Sequence, residues 1–292
     1  MVSKKNIWDK MRKYLQEIHP CIVCNSTDLT PWAKENYLEA KLCNNCGMIS
    51  TNPHFSEKGL EIFYNEYLPN RLENKQLMEQ REEAYIIDRD WVSNFINGGK
   101  VLDIGCSGGF FLSKFSSNLW DREGVEIAAN NATYAKDNYG IHVYTGLVTN
   151  LKFPKCYDLV MTRGLIEHLR DPIAVLKKCH KIVKPGGYLF ITAMPTGDCF
   201  AFDVYREKWR QFTPLEHIHF FSRKLMTQIL EKIGFRYICH HYQYDETPYA
   251  NPRKDYDKMK KDINLIANGK KEDISISPPF LGTMLSVLYQ KI

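Results

Sequence analysis

The stretch Lys100–Phe115, KVLDIGCSGGFFLSKF, constrains the possible folds more than any other segment. An apolar run with Val101, Leu102 and Ile104 meets a turn holding Gly105, Gly108 and Gly109, and Phe110 and Phe111 then open a predicted helix. A strand ending in glycines ahead of a helix brings backbone N–H groups close to a ligand at the carboxyl edge of a sheet. The same alternation continues. GVEI ends a second short strand at Glu126, AANNATYAKDNYG reads as a helix, and a third strand lies around Ile141 to Tyr144. A fourth strand runs from Asp158 to Met161, and Asp171-Pro172 is a helix start with Asp as N-cap and Pro in the first position. That helix carries Ile173, Val175, Leu176 and Ile182, stops at Lys184-Pro185-Gly186-Gly187, and is followed by the strand GYLFITAMP. PPFLGTMLSVLYQKI reads as a last apolar strand returning into the sheet. The pattern predicts an α/β fold with a parallel, doubly wound sheet.

The polar residues in this frame narrow the ligand. A dinucleotide fold wants G-x-G-x-x-G so that pyrophosphate can sit at the helix start, whereas here the order is Asp103, Gly105, Ser107, Gly109. An acid at that strand end repels pyrophosphate but suits the cationic end of a ligand. Glu126, about twenty residues on, stands where a carboxylate accepts hydrogen bonds from two ribose hydroxyls.

The run from Val101 to Pro195 resembles the class I S-adenosylmethionine (SAM)-dependent methyltransferases through DIGCSGG, GVEI, EHLRDP after the fourth strand and KPGGYLF before the fifth. It departs at Ser107, where that family usually has glycine. The resemblance implies a Rossmann-like seven-stranded sheet with helices on both faces and SAM as cofactor. It places Asp103, Gly105, Cys106 and Gly109 along the methionine half, with Ser107 and Phe110 in the same turn. Glu126 and Ile127 would meet the ribose, Leu147 or Val148 the adenine, and Thr162 and Arg163 the sulfonium end. Cys106 would act there through its backbone.

Nine cysteines are the unusual feature of an otherwise ordinary composition of 292 residues, 44% apolar and 25% charged. An odd count and an N-terminus without an apolar leader run argue against a disulfide framework and predict a reduced, cytoplasmic protein. No apolar run approaches membrane-spanning length. Cys21, Cys24, Cys43 and Cys46 form C-x2-C, eighteen residues, C-x2-C, which is a zinc-ribbon spacing. Four thiolates fill a tetrahedral shell, leaving no position for water, so the expected zinc is structural. His19 and His54 flank the ribbon and are not needed as ligands. Cys156, Cys179, Cys199 and Cys239 read as small apolar filling. The expected organisation is a ribbon segment over 1–55, a helical connector over 56–98, and a methyltransferase domain over 99–292 with an acceptor lid around 196–222. In the connector Leu77, Tyr85, Ile86, Trp91 and Phe95 carry the helical apolar pattern. The segment from Tyr244 to Asp273 reads as a solvated, Lys-rich helix plus loop.

Methyl transfer is an in-line displacement, and a hydroxyl acceptor also needs its proton removed, for which histidine is suited near neutral pH. The lid TGDCFAFDVYREKWRQFTPLEHIHFFS supplies Glu216, His217 and His219, and EHL after the fourth strand supplies His168. EHIHFFS together with the four-cysteine segment is similar to the zinc-containing sugar methyltransferases, including nucleotide-sugar C-methyltransferases, and that resemblance makes His217 the candidate general base. It covers roughly residues 20 to 235. The C-terminal domain of those C-methyltransferases has no counterpart in this length, so O-methylation of a sugar or nucleotide-linked sugar is expected ahead of C-methylation. Tyr205, Trp209 and Arg210 are either a sugar platform or a lid packed on itself. RNA base methylation is the competing class, since zinc ribbons also accompany base-modifying enzymes. Against it, residues 21 to 46 carry two Lys against one Asp and two Glu, and TRGL stands where base amino-group enzymes have an N/D-PP-F/Y motif. The net charge of +5 is mild, and a small-molecule partner is expected rather than nucleic acid.

Overall fold

The computed structural model describes residues 4–64, 75–154, 156–244, 247 and 249–292. An N-terminal helix α1 (Lys4–Met11) leads into strands β1 (Leu29–Glu35), β2 (Leu38–Cys43) and β3 (Ile49–Thr51). Helices α2 (Glu57–Ile62) and α3 (Lys75–Ser93) follow, then the alternation β4 (Gly99–Ile104), β5 (Trp120–Glu126), α4 (Ala129–Tyr139), β6 (His142–Thr145), β7 (Tyr157–Arg163), α5 (Pro172–Ile182) and β8 (Val183–Pro195). The lid contributes α6 (Phe200–Tyr205) and β9 (His219–Phe220). The chain closes with α7 (Arg223–Ile233), β10 (Phe235–Tyr242), α8 (Pro252–Ala267) and β11 (Met284–Lys291).

The large sheet has seven strands in the order β10-β11-β8-β7-β4-β5-β6. β8, β7, β4, β5 and β6 run parallel, and β11 enters antiparallel between β8 and β10. This is the Rossmann-like seven-stranded sheet expected from the sequence, but it is mixed and not parallel throughout, because β11 runs against both of its neighbours. β7 shows why its centre is stable: Leu159, Val160 and Met161 are all fully buried, and burial of side chains this size contributes on the order of 2 kcal/mol each. α5 starts as predicted, with the Asp171 side chain accepting from the Ala174 N–H and Pro172 in the first turn. It buries Val175, Leu176, Cys179 and Ile182, spaced so that they form one helical face. The final apolar segment is β11, as expected, but its neighbour β10 was not read from the sequence.

Three expectations need correction or completion. The helix predicted to open at Phe110 is only a single 3-10 turn over Leu112–Lys114. Ten residues separate Gly109 from Trp120, and the Ser116 carbonyl turns the chain by accepting from the N–H groups of Leu119 and Trp120. Phe111, Leu112 and Phe115 are buried and pin the segment down without a helix. In α3 the inward face is Tyr85, Asp88 and Val92, while Ile86 is exposed, as is Phe95 just past the helix end; the Leu77 side chain lies outside the described residues. Along the Lys-rich segment α8 forms, but Asp255 and Asp262 are buried, accepting from the hydroxyls of Tyr244 and Tyr205.

The four-cysteine segment is stitched into the body. β1, β2, β3 and β9 form a second, antiparallel sheet, so the lid supplies the last strand of the ribbon's sheet. Cys21, Cys43 and Met48 also belong to the same buried cluster as Leu102, Ile104 and Phe221.

Candidate active site

At the carboxyl end of β4 the backbone takes the left-handed conformation at Gly105 (φ 77°), Ser107 (φ 49°) and Gly109 (φ 77°). Ser107 therefore adopts the glycine conformation of the usual motif, at the cost a Cβ incurs there. It is held by its N–H, which donates to Glu126 Oε2 at 2.9 Å. The other oxygen of Glu126 accepts from the N–H groups of Ile127 and Ala128, both at 2.9 Å. The predicted methionine-side turn and the predicted ribose acid are thus joined directly. Cys106 is buried, burial pushes its thiol up beyond any working range, and its Sγ lies 3.6 Å from the Ser107 carbonyl of the same turn.

Gly124 on β5 lies beneath that turn. A Cβ there would sit 2.5 Å from Cys106 Sγ and 3.2 Å from Cys106 Cβ. Gly124→Ala is expected to destabilise the fold by about 1–3 kcal/mol through overpacking, read as a lowered Tm, with SAM affinity falling alongside. An unchanged Tm would show that the turn is softer than this packing implies.

Asp103 is 2% exposed, and its Oδ1 has no hydrogen-bond partner among the described residues. Burial raises its pKa to about 8, with Arg163 opposing and Glu126 adding to the rise. Arg163, at the end of β7, lies over the Tyr85 ring at 4.6 Å and the Phe111 ring at 5.7 Å, with its Nε 3.3 Å from Asp88. Asp88 is completely buried, accepts from the Ser286 hydroxyl at 3.0 Å, and faces His241 Nε2 at 3.6 Å. Sequence reading missed Asp88, His241 and Ser286. Thr162 is fully buried beside Arg163. On the ribose side the Gly146 N–H donates to the Glu126 carbonyl, which brings Leu147 and Val148 next to that acid. Leu147 is exposed and Val148 is buried in the core, while Phe110 is half-buried and Ile127 exposed.

The acceptor side begins where β7 ends. A Cβ at Gly105 would sit 3.0 Å from Leu165, so the loop after β7 packs on the glycine turn. The next residues form a 3-10 turn over Ile166–His168. His168 and His217 have ring centroids 4.8 Å apart. His168 Nδ1 donates to the Glu216 carbonyl at 3.0 Å, with the Tyr64 hydroxyl 3.3 Å away, and His217 Nδ1 donates to the Gln211 carbonyl at 2.7 Å. A carbonyl oxygen only accepts, so in both rings Nδ1 carries the proton and Nε2 the lone pair. Glu216 thus meets His168 through its backbone. Glu167, which the sequence reading passed over, joins the two histidines, its Oε1 3.7 Å from His168 Nε2.

His219 is buried, bonded to the Ser50 hydroxyl at 2.9 Å, and pushed down to about 3 by burial. His54 is likewise buried, faces the Pro214 carbonyl at 3.0 Å, and is pushed down to about 4 by burial. Both stay neutral and structural. Tyr205 and Trp209 are 1% exposed and pack against Phe202 and Phe220, so they are core and not a sugar platform; Arg210 is exposed.

Cys24 and Cys43 Sγ atoms are 3.5 Å apart, and those of Cys21 and Cys46 3.6 Å. A tetrahedral zinc with Zn–S near 2.3 Å requires sulfur separations of about 3.8 Å. The four thiols fit such an ion after a shift of a few tenths of an ångström.

A family of methyltransferase domains matches residues 77–240, more than half of the chain. The chain belongs to this methyltransferase family. Two ubiquinone biosynthesis O-methyltransferases illustrate the relatives of the methyltransferase. That of Aliivibrio fischeri is 31% identical over 115 residues, 35% of this chain and 47% of that protein. That of Paraburkholderia phymatum is 26% identical over 159 residues, 50% of this chain and 65% of that protein. The chain spans about half the length of the first of these relatives. A solved SAM-dependent methyltransferase from Thermotoga maritima, described as a possible histamine N-methyltransferase, covers 80% of this chain and 99% of its own at a TM-score of 0.55. At 20% identity it establishes the fold. No helix among the described residues is long and apolar enough to cross a membrane.

Proposed function

We propose that this protein is a SAM-dependent methyltransferase that methylates a hydroxyl of a polar small molecule, a sugar or nucleotide-linked sugar being the leading class. The observation that carries this reading is the meeting of His217, His168 and Glu167 at the carboxyl end of β7, against the loop that packs on the glycine turn. His217, its Nδ1 anchored by Gln211, takes the hydroxyl proton at Nε2. The O–H bond breaks as the oxygen bonds the methyl carbon, the S–C bond breaks, and S-adenosylhomocysteine leaves. The relatives named as O-methyltransferases support oxygen as the methylated atom. Zinc on Cys21, Cys24, Cys43 and Cys46 is proposed as structural. The chain is proposed to divide into ribbon, connector and catalytic domain at the boundaries given above, with the lid bound to the ribbon's sheet. Incubation with labelled SAM against panels of nucleotide sugars, other polyols and catechols, with mass analysis, tests the reading. Methylated oxygen in a small molecule is expected; methylation of RNA alone would overturn it.

On the cofactor side Asp103 is proposed to hold the ammonium of SAM and Glu126 the ribose, with Gly105, Cys106, Ser107, Gly109, Phe110, Ile127, Leu147, Val148, Thr162 and Arg163 around them. The raised Asp103 carboxyl, facing Arg163 and Glu126, holds a proton below about pH 8 when no ligand is bound. SAM selects the ionised form, so binding releases that proton and affinity rises roughly tenfold per pH unit until about pH 8. Calorimetry in buffers of different ionisation heat measures both effects. A flat affinity between about pH 6 and 8 would sink the Asp103 assignment, and unchanged affinity in Glu126→Ala would sink that of Glu126.

A further inference from the structure

A polar row crosses the large sheet one step beyond its apolar core. Val101, Met161 and Phe190 of β4, β7 and β8 are buried in one cluster with Tyr85 and Val92 of α3. Two residues further along the same strands, and so on the same face, stand Asp103, Arg163 and Thr192. Arg163 pairs with Thr192 across β7 and β8, and Ser286 pairs with His241 across β11 and β10. The Thr192 and Ser286 hydroxyl oxygens, 2.7 Å apart, join the two pairs. Asp88 of α3 reaches this row while completely buried: Oδ1 accepts from the Ser286 hydroxyl at 3.0 Å and lies 3.6 Å from His241 Nε2, and Oδ2 lies 3.3 Å from Arg163 Nε. Ser286 gives its one proton to Asp88, so the Thr192 hydroxyl donates to Ser286. An apolar side chain at position 88 would pack the helix as well, and a buried acid there serves to fix the groups around it.

We propose that Asp88 is a positioning residue: it holds the Arg163 guanidinium so that Arg163 takes the α-carboxylate of SAM while Asp103 takes the ammonium on the same carbon. The inference rests on the reading that Asp103 holds that ammonium. Arg163 stands on the face and at the strand end where Asp103 stands, and it is the cation that stabilises the ionised Asp103. The rings of Tyr85 at 4.6 Å and Phe111 at 5.7 Å flank its guanidinium, and Asp88 faces its Nε, so the plane is set from two sides. With Nε turned to Asp88, the terminal nitrogens are the donors left for a ligand, and the side chain keeps 15% exposure. A fixed guanidinium binds a carboxylate through paired donors, which a swinging one does not. The connector helix α3 thereby contributes to the choice of cofactor through Asp88, without touching it.

The test is calorimetric binding of SAM and of decarboxylated SAM, which keeps the ammonium and the sulfonium, to the full-length protein. The wild type should bind SAM at least about tenfold more tightly than the decarboxylated compound. Asp88→Asn should weaken SAM about tenfold and leave decarboxylated SAM within about twofold. Arg163→Lys should behave alike, and the double variant should lose little more, because the two residues act as one unit. Ser286→Ala removes one hydrogen bond of Asp88 and keeps every charge. It should weaken SAM about threefold with decarboxylated SAM unchanged, and it carries the test if Asp88→Asn fails to fold. A role of Asp88 through charge alone predicts the opposite order, since decarboxylated SAM has the greater positive charge and would lose more. That order, equal losses for the two ligands, or a wild type that does not distinguish them overturns the proposal. SAM affinity flat with pH, with the carboxylate discrimination intact, would instead overturn the Asp103 reading and leave Asp88 and Arg163 standing.

Discussion

His217→Ala is expected to lower kcat by about 10²–10⁴-fold, the range a positioned general acid or base supplies, while leaving SAM affinity within about twofold, since the contacts seen among the described residues, the His168 ring and the Gln211 carbonyl, lie on the acceptor side. Its Nδ1–H donates to the Gln211 carbonyl, which puts the ring's lone pair on Nε2. Loss of that nitrogen removes the proposed proton acceptor. His219→Ala provides the contrast. That ring is buried and bonded to Ser50, so its removal should lower Tm through a cavity and an unpaired hydroxyl. Single-turnover assays with labelled SAM, beside calorimetric SAM binding, separate the two variants. Normal turnover by His217→Ala would show that the acceptor needs no proton removed at this position.

The elements legible in the sequence were those whose physics is local. The glycine turn, the Asp171-Pro172 helix start and the cysteine pairs each announce themselves within a few residues, and each stands where it was expected. His217 and His168 were legible as types but not as a pair, since 48 positions separate them and only the lid's return over β7 brings their rings together. Glu167 could have been found from the repetition of the dipeptide Glu-His at 167–168 and 216–217. Asp88 gave no signal, because a lone acid on a predicted amphipathic helix ordinarily faces water. Its burial is made by Arg163, His241 and Ser286, contributed by three different strands. The helix expected after the glycine turn failed for a related reason. Phe111, Leu112 and Phe115 satisfy helical spacing, but the short span to Trp120 lets core packing override that preference. β9 is two residues long and exists as a strand only because β3 offers it an edge.

That edge gives the four-cysteine cluster a consequence for catalysis. Removing the proposed zinc with a strong chelator, or replacing one of its four thiols with Cys43→Ser, is expected to reduce turnover by at least about tenfold while SAM binding is retained. The route is short and made of backbone. Cys43 ends β2, and its N–H donates to the Met48 carbonyl at 2.8 Å just ahead of β3. In β3, Ile49 pairs with Phe220 and Ser50 with His219, and the Thr51 N–H donates to the Ile218 carbonyl at 2.8 Å. The Thr51 hydroxyl also reaches the His217 carbonyl at 3.4 Å. Structural zinc contributes about 10–16 kcal/mol of apparent binding free energy to the small folds it organises, so its loss should release β3 and with it the segment that presents His217. The SAM turn draws on β4, β5 and β7, none of which pairs with the ribbon's sheet. Far-ultraviolet circular dichroism and hydrogen exchange should accordingly report loss of protection over residues 21–51 and 217–220, with the large sheet unchanged. Full activity in metal-free protein would show that packing of Met48 and Phe220 alone holds the lid. Loss of SAM binding together with turnover would show that the ribbon supports the whole domain and not the acceptor side.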